Sequence, residues 1–179
     1  MNRTTQATSA AVGVFLLLMV VWPALSPAQD PYRLQVDPAC EKALPVRVVR
    51  GMAGQADVTL VPRDPRIGAH GTCNYAIAGR DVILMVAVNP ITDPSFYESY
   101  RRNCGSEQPP TAIPDLGEEA LACHGYGGAG NNAVVVHKGR RVVVLEGTRR
   151  VDRRTRRLGT HVFTTEQLTD LARAVMRKL

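Results

Sequence analysis

Two valine-rich segments, each doubled back on itself by a tight turn, restrict the fold of this chain more than any other feature. In the first, Cys73-Asn-Tyr-Ala-Ile-Ala78 meets Asp81-Val-Ile-Leu-Met-Val-Ala-Val88 across Gly79-Arg80. In the second, Ala133-Val-Val-Val136 and Arg141-Val-Val-Val-Leu145 flank His137-Lys-Gly-Arg140, with Lys138-Gly139 supplying the turn. Strands joined this closely must run antiparallel, because a parallel pair needs a long crossover. The predicted architecture is therefore α+β: a mainly antiparallel sheet with helices packed on it, and not a doubly wound α/β fold. The second strand of the first hairpin is apolar at both parities, Val82/Leu84/Val86/Val88 and Ile83/Met85/Ala87. That pattern predicts an interior strand covered on both faces.

Other elements follow from local signals. Residues 37–44 read as a short helical stretch carrying Cys40 and ended by Pro45, and residues 46–49 and 58–61 as strands. Pro62, Pro65 and Gly68 mark a loop. Asp93-Pro94 opens a helix, with Asp as cap and Pro at the first helical position; Phe96, Tyr100 and Cys104 share a face, and Gly105 is the stop. Pro109, Pro110 and Pro114 predict another loop, and residues 121–123 the start of a strand. Thr164-Thr-Glu-Gln167 has the form of a capping box. Leu168, Leu171, Ala172, Val175 and Leu179 follow it at helical spacing, with Asp170, Arg173 and Arg177 pointing away. Glu166 near its start and Arg177-Lys178 near its end suit the helix dipole.

The N-terminus sets the expected compartment. Arg3 is the only charge before Asp30, a short apolar run reaches Trp22, and Ser26-Pro27-Ala28 offers a small-x-small exit. These are the parts of a secretory signal over residues 1–28. The uninterrupted apolar stretch, Val12 to Trp22, is about half of the ~20 residues a membrane span needs. The expectation is a single exported domain over residues 29–179, periplasmic or secreted, with no transmembrane span after cleavage. Trp22, the one tryptophan, would leave with the signal. Removing Arg3 takes the net charge from +6 to +5, so the remaining chain stays basic. Its core must be built mostly from Val, Leu, Ile and Ala, since Phe96, Phe163 and five tyrosines are its only aromatics.

All four cysteines, Cys40, Cys73, Cys104 and Cys123, lie in the exported part. An even count in an oxidising compartment predicts two disulfides. Three pairings are open; joining neighbours, Cys40 with Cys73 and Cys104 with Cys123, is favoured. In the chain-entropy treatment each such loop stabilises by about 3–4 kcal/mol. Zinc is disfavoured, because no C-x-x-C or H-x3-H spacing is present.

The remaining constellations carry little catalytic chemistry. The glycine-rich Gly125-Tyr-Gly-Gly-Ala-Gly130 lacks the Lys-Ser/Thr ending of a phosphate loop and precedes a strand, so it reads as a connector. His70, His124, His137 and His161 fall in loops or at turn edges without metal spacing. No serine has a G-x-S-x-G setting. The side chains of adjacent Glu118 and Glu119 should diverge, which makes them a poor acid/base pair. No cofactor is implied. The basic tract is more informative. Arg149, Arg150, Arg153, Arg154, Arg156 and Arg157 sit within nine residues, offset only by Asp152, and Arg140 and Arg141 precede them. Like charges this dense predict a solvated loop or ribbon. It would suit an anionic envelope surface, lipid headgroups or a phosphate-rich polymer, or an envelope protein. Nucleic acid is not expected, because the chain is exported and no aromatics interleave with the charges.

Several landmarks recur together: Asp37-Pro-Ala-Cys40, Gly71-Thr-Cys73-Asn-Tyr75, Asp115-Leu-Gly-Glu-Glu-Ala120, the Val-rich hairpin and Leu168-Thr-Asp-Leu-Ala172. In this order they resemble a family of small exported bacterial proteins, often lipoproteins, known only as a domain of unknown function. The resemblance implies a Cys40–Cys73 pair and an antiparallel sheet with helices on it, and brings no catalytic residues. Tyr75 stands where the family usually has tryptophan. No lipid-accepting cysteine follows the signal, a departure that puts the family's lipid tethering in doubt for this chain. The functional expectation is an exported, non-enzymatic domain that binds or accompanies an envelope component. Its alternative is an enzyme, or an accessory subunit of one, whose site a single sequence does not display.

Overall fold

The computed structural model describes residues 37–62, 71–91, 94–105, 108–127, 130–151 and 158–179. Two short helices come first, α1 (Pro38–Ala43) and α2 (Val46–Ala53), then strands β1 (Val58–Leu60), β2 (Thr72–Ile77) and β3 (Asp81–Pro90). Helix α3 (Pro94–Asn103) leads to β4 (Gln108–Ala112), β5 (Glu119–Tyr126), β6 (Asn131–Lys138) and β7 (Arg141–Gly147). A small ribbon, β8 (Arg149–Val151) and β9 (Leu158–His161), precedes the last helix, α4 (Thr165–Met176). Strands β1 to β7 form one seven-stranded sheet in the order β1-β2-β3-β7-β6-β5-β4, antiparallel at every pairing. The antiparallel α+β expectation therefore holds.

The pleat divides the core into two layers. Val134, Val136, Val143 and Leu145 point to one face, where they join Leu168, Leu171, Ala172 and Val175 of α4 with Leu44 and Val49. Ala133, Val135, Val142 and Val144 point to the other, where they join Tyr97 and Tyr100 of α3 and Tyr126. Strand β3 lies inside the sheet between β2 and β7, with Leu84 and Val86 in the first layer and Ala87 in the second. The strand is interior as predicted, but Val82 at its start is 37% exposed and Ile83 joins Leu84 in the first layer, so its apolar pattern is covered on both faces only in part. Each layer also holds one disulfide. Cys40–Cys73 ties α1 to β2 with 5.5 Å between the Cα atoms, and Cys104–Cys123 ties the end of α3 to β5 at 4.8 Å. Nearest-neighbour pairing is the one adopted.

Helix α4 starts as the sequence indicates. The Thr164 hydroxyl accepts from Gln167 N–H at 3.3 Å, and the Gln167 side chain accepts from Thr164 N–H at 2.9 Å. Its stripe is buried through Met176, but Leu179 lies past the helix end and is 42% exposed, so the buried stripe is one residue shorter than predicted.

Other departures have clear causes. Residues 46–49, read as a strand, are the first half of α2. Four valine-rich residues cannot distinguish a period of 2 from one of 3.6, and over the full element Val49 is buried while Arg47, Arg50 and Gly51 face solvent. Gly54 in the left-handed region (φ 62°) ends the helix, and Arg50 Nε donates to the Val58 carbonyl at 2.8 Å across the sheet edge. Pro109 and Pro110, read as loop, belong to β4, an edge strand exposed at all five positions. Proline is tolerated there because the outer edge needs no donor, and the register slips between Gln108 and Thr111. His137, next to the end of β6, and His161, which ends β9, lie at strand ends as a turn-edge position implies, whereas His124 lies inside β5. The helix predicted from Asp93-Pro94 is α3, which presents Tyr97 and Tyr100 to the sheet. Asp93, His70 and the Phe96 side chain lie outside the described residues.

Buried phenols hold the layers to their helices. The Tyr75 hydroxyl, under the first layer, donates to the Leu44 carbonyl at 2.5 Å, with the Cys40 carbonyl at 3.4 Å, at the C-terminal end of α1. Burial pushes Tyr75, Tyr97 and Tyr126 well above the ordinary tyrosine range, Glu41 adding to the effect at Tyr75 and Glu119 at Tyr97. Tyr100 is raised too, again by burial. In the unfolded chain tyrosine ionises near pH ~10. Above that pH the native state holds more protons than the unfolded one, so stability falls with rising pH. This contribution is fully present below about pH 10. Tyrosine ionisation followed by ultraviolet absorbance should therefore coincide with loss of circular dichroism. Phenol titration well before unfolding would contradict the burial.

Candidate anion-binding groove

At the Gly147 end of β7 the chain is pulled across the start of β3. Thr148 N–H donates to the Ile83 carbonyl at 3.0 Å, and the Thr148 hydroxyl to the Val82 carbonyl at 2.7 Å. Arg149 N–H donates to the Asn131 side-chain carbonyl at 3.2 Å, and the Asn131 amide in turn donates to Glu146 at 2.6 Å. Asn132 donates to the Phe163 carbonyl at 3.2 Å, which places the turn before α4. The two asparagines at the end of the glycine-rich connector thus position the ribbon and the helix start. Of the stretch read as a connector, Gly125 and Tyr126 are the end of β5, and Gly128 and Ala129 lie outside the described residues.

These bonds set Arg149 and Arg150 beside the β2–β3 turn. A groove of about 620 Å³ lies there, with Arg80, Arg149 and Arg150 as its cations and Asp81 as its carboxylate. Ile77, Val82, Ile83 and Val162 form its apolar part, and Gln55 and Thr148 add neutral polar groups. Val82 is 37% exposed, an uncommon position for a large aliphatic chain. The Arg149 guanidinium is oriented by donating from Nε to His161 Nε2 at 3.0 Å, so the imidazole accepts at that nitrogen. The result is a basic site over a greasy floor. Guanidinium groups stay charged at all physiological pH and match phosphate and carboxylate oxygens in pairs.

Of the six arginines the sequence singles out, Arg149 and Arg150 line this groove, and β8 carrying them is the predicted ribbon. Arg153, Arg154, Arg156 and Arg157 lie outside the described residues. Arg80 was not marked by the sequence. It sits in the three-residue turn from Ala78 to Arg80, and only the pairing of β3 with β7 brings that turn to residue 149.

Other polar clusters offer less. A hollow of about 360 Å³ between β5 and α4 is lined by His124, Glu166, Asp170 and Arg173 among others. Arg173 is ion-paired with Asp170 at 3.1 Å. The Glu166 carboxyl is held below its ordinary range by its own backbone N–H at the helix start and by the Thr164 hydroxyl. Glu118 and Glu119 diverge as expected: Glu118 accepts from Gly139 N–H at 2.9 Å, while Glu119 lies 3.6 Å from Arg101 beside α3. Among the described residues no group of three or more His, Cys, Asp or Glu side chains is placed to hold a metal ion.

No protein-family model, curated protein or solved structure matches the chain. The groove's own chemistry is what bears on function.

Proposed function

We propose that this chain is an exported, non-enzymatic binding domain, a single unit from residue 29 onward, that docks on an anionic envelope membrane through the Arg80–Arg149–Arg150 groove. The observation that carries the reading is the convergence of cations from two separate elements over the apolar Val82 floor. Lipid headgroups present anionic oxygens above an apolar layer, which is the complement of that arrangement. Arg153, Arg154, Arg156 and Arg157 continue the same chain segment and extend its positive charge. Disulfides persist in oxidising compartments, so the two present here agree with export through the N-terminal signal. Among the described residues no helix is long and apolar enough to cross a membrane, which fits surface docking. The Cys40–Cys73 pair and the antiparallel sheet also support membership of the small exported bacterial family that the motifs resemble.

Vesicle sedimentation tests this. The protein should pellet with phosphatidylcholine vesicles containing phosphatidylglycerol, less so at high salt, and not with phosphatidylcholine alone. Each arginine near an anionic surface contributes about 1 kcal/mol. Changing Arg80, Arg149 and Arg150 together to Ser should therefore weaken binding by roughly two orders of magnitude. Equal binding to neutral vesicles, or a variant as tight as the parent, would overturn the proposal.

A further inference from the structure

A second site of the same chemistry stands at the far end of the sheet. The β6–β7 turn carries Lys138, Arg140 and Arg141, all exposed, and the end of α4 brings Arg177 beside it, with the exposed Lys178 next along the chain. Lys138 and Met176 line two adjoining hollows of about 340 and 270 Å³. The first adds Arg177, with Asp115 as its carboxylate; the second adds Arg140, Arg141 and the exposed Leu179. Arg173 is already paired with Asp170 and contributes little free charge. Among the described residues none of the five exposed cations is in an ion pair. The pattern repeats that of the groove: clustered cations around an exposed aliphatic side chain.

Strand register places the two sites at opposite ends. Leu84 pairs with Gly147 at the groove end, and Pro90 with Arg141 at the other, so the Gly79-Arg80 and Gly139-Arg140 turns project in opposite directions along the strands. Seven residues at ~3.4 Å each put roughly 20 Å between the ends of β7. That exceeds the Debye length of ~8 Å at physiological salt, so the two clusters act as separate charges.

We propose that the protein is bivalent, and that its β6–β7 turn with the end of α4 docks on a second anionic bilayer, bridging two membrane surfaces. This rests on the reading of the groove as a membrane site. The cations outnumber the two carboxylates beside them, Asp115 and Glu118, and surround the exposed Leu179, which favours a bilayer over an ordinary solvated turn.

Light scattering from phosphatidylcholine–phosphatidylglycerol vesicles, run alongside sedimentation of the same samples, tests the proposal. The parent protein should cluster vesicles at limiting concentrations and raise turbidity several-fold. The Lys138→Ser/Arg140→Ser/Arg141→Ser variant should still pellet with vesicles but leave them dispersed. The corresponding Arg140→Lys/Arg141→Lys variant should cluster them as the parent does, since charge and not forked geometry is required. A parent that pellets without clustering, or a serine variant that clusters equally, overturns bridging and leaves the groove reading intact. A parent that does not pellet at all overturns both.

Discussion

Replacing Leu171 with alanine should destabilise the protein by about 2–5 kcal/mol. Leu171 is fully buried on α4, in the same apolar layer as Val134, Val136, Val143 and Leu145 of the central strands. Truncation removes three carbons from that layer and leaves a cavity, because α4 cannot collapse onto a sheet whose other face is also packed. Gly147 already lies so close to this helix that a Cβ there would be 3.2 Å from the Leu168 side chain. Urea denaturation of Leu171→Ala against the parent measures the loss. Leu179→Ala serves as control, since that side chain is largely outside the core and should change stability by less than about 0.5 kcal/mol. A loss below about 1 kcal/mol for Leu171→Ala would mean that α4 does not bury its stripe.

Removing the Cys40–Cys73 bond, as Cys40→Ser with Cys73→Ser, should remove about 3–4 kcal/mol. The bond closes a loop with a sequence separation of 33, the longer of the two. It also carries more local structure than its entropy alone implies. Helices α1 and α2 are short, and a helix of this length has little stability by itself. They are held by this bond, by the Tyr75 hydroxyl and by the Arg50–Val58 contact at the sheet edge. Without the bond, amide exchange in residues 38–53 should accelerate well beyond that in β6 and β7. Unchanged exchange there, with a small stability loss, would show that packing alone secures the two helices.

Legibility in the sequence followed the range of the interactions. Both hairpins were readable because turn chemistry and strand pattern lie within sixteen residues, and α4 because capping box and stripe are contiguous. The cysteine pairing was favoured among three possibilities, and the structure selects it. Residues 46–49 misled because valine favours strands when only a few residues are weighed, and the burial that makes α2 a helix comes from the sheet beneath it. The β4 strand was hidden by its prolines, which only an edge position allows. Half of the candidate groove was legible, as the charge of Arg149 and Arg150. Its other half, Arg80 and Val82, carried no local signal.

The sequence by itself determined that the sheet is antiparallel, where its last helix begins and that a dense positive segment follows β7. These are properties of short stretches, set by turn geometry, capping and like-charge repulsion. Tertiary structure alone decided which face each helix covers, and which charges become neighbours. The β3–β7 pairing gathers arginines nearly seventy residues apart around Val82, and the same pairing sends the other basic turn to the opposite end. The physical reason is that cations repel wherever they stand, and only strands paired by backbone hydrogen bonds hold them together at a chosen place.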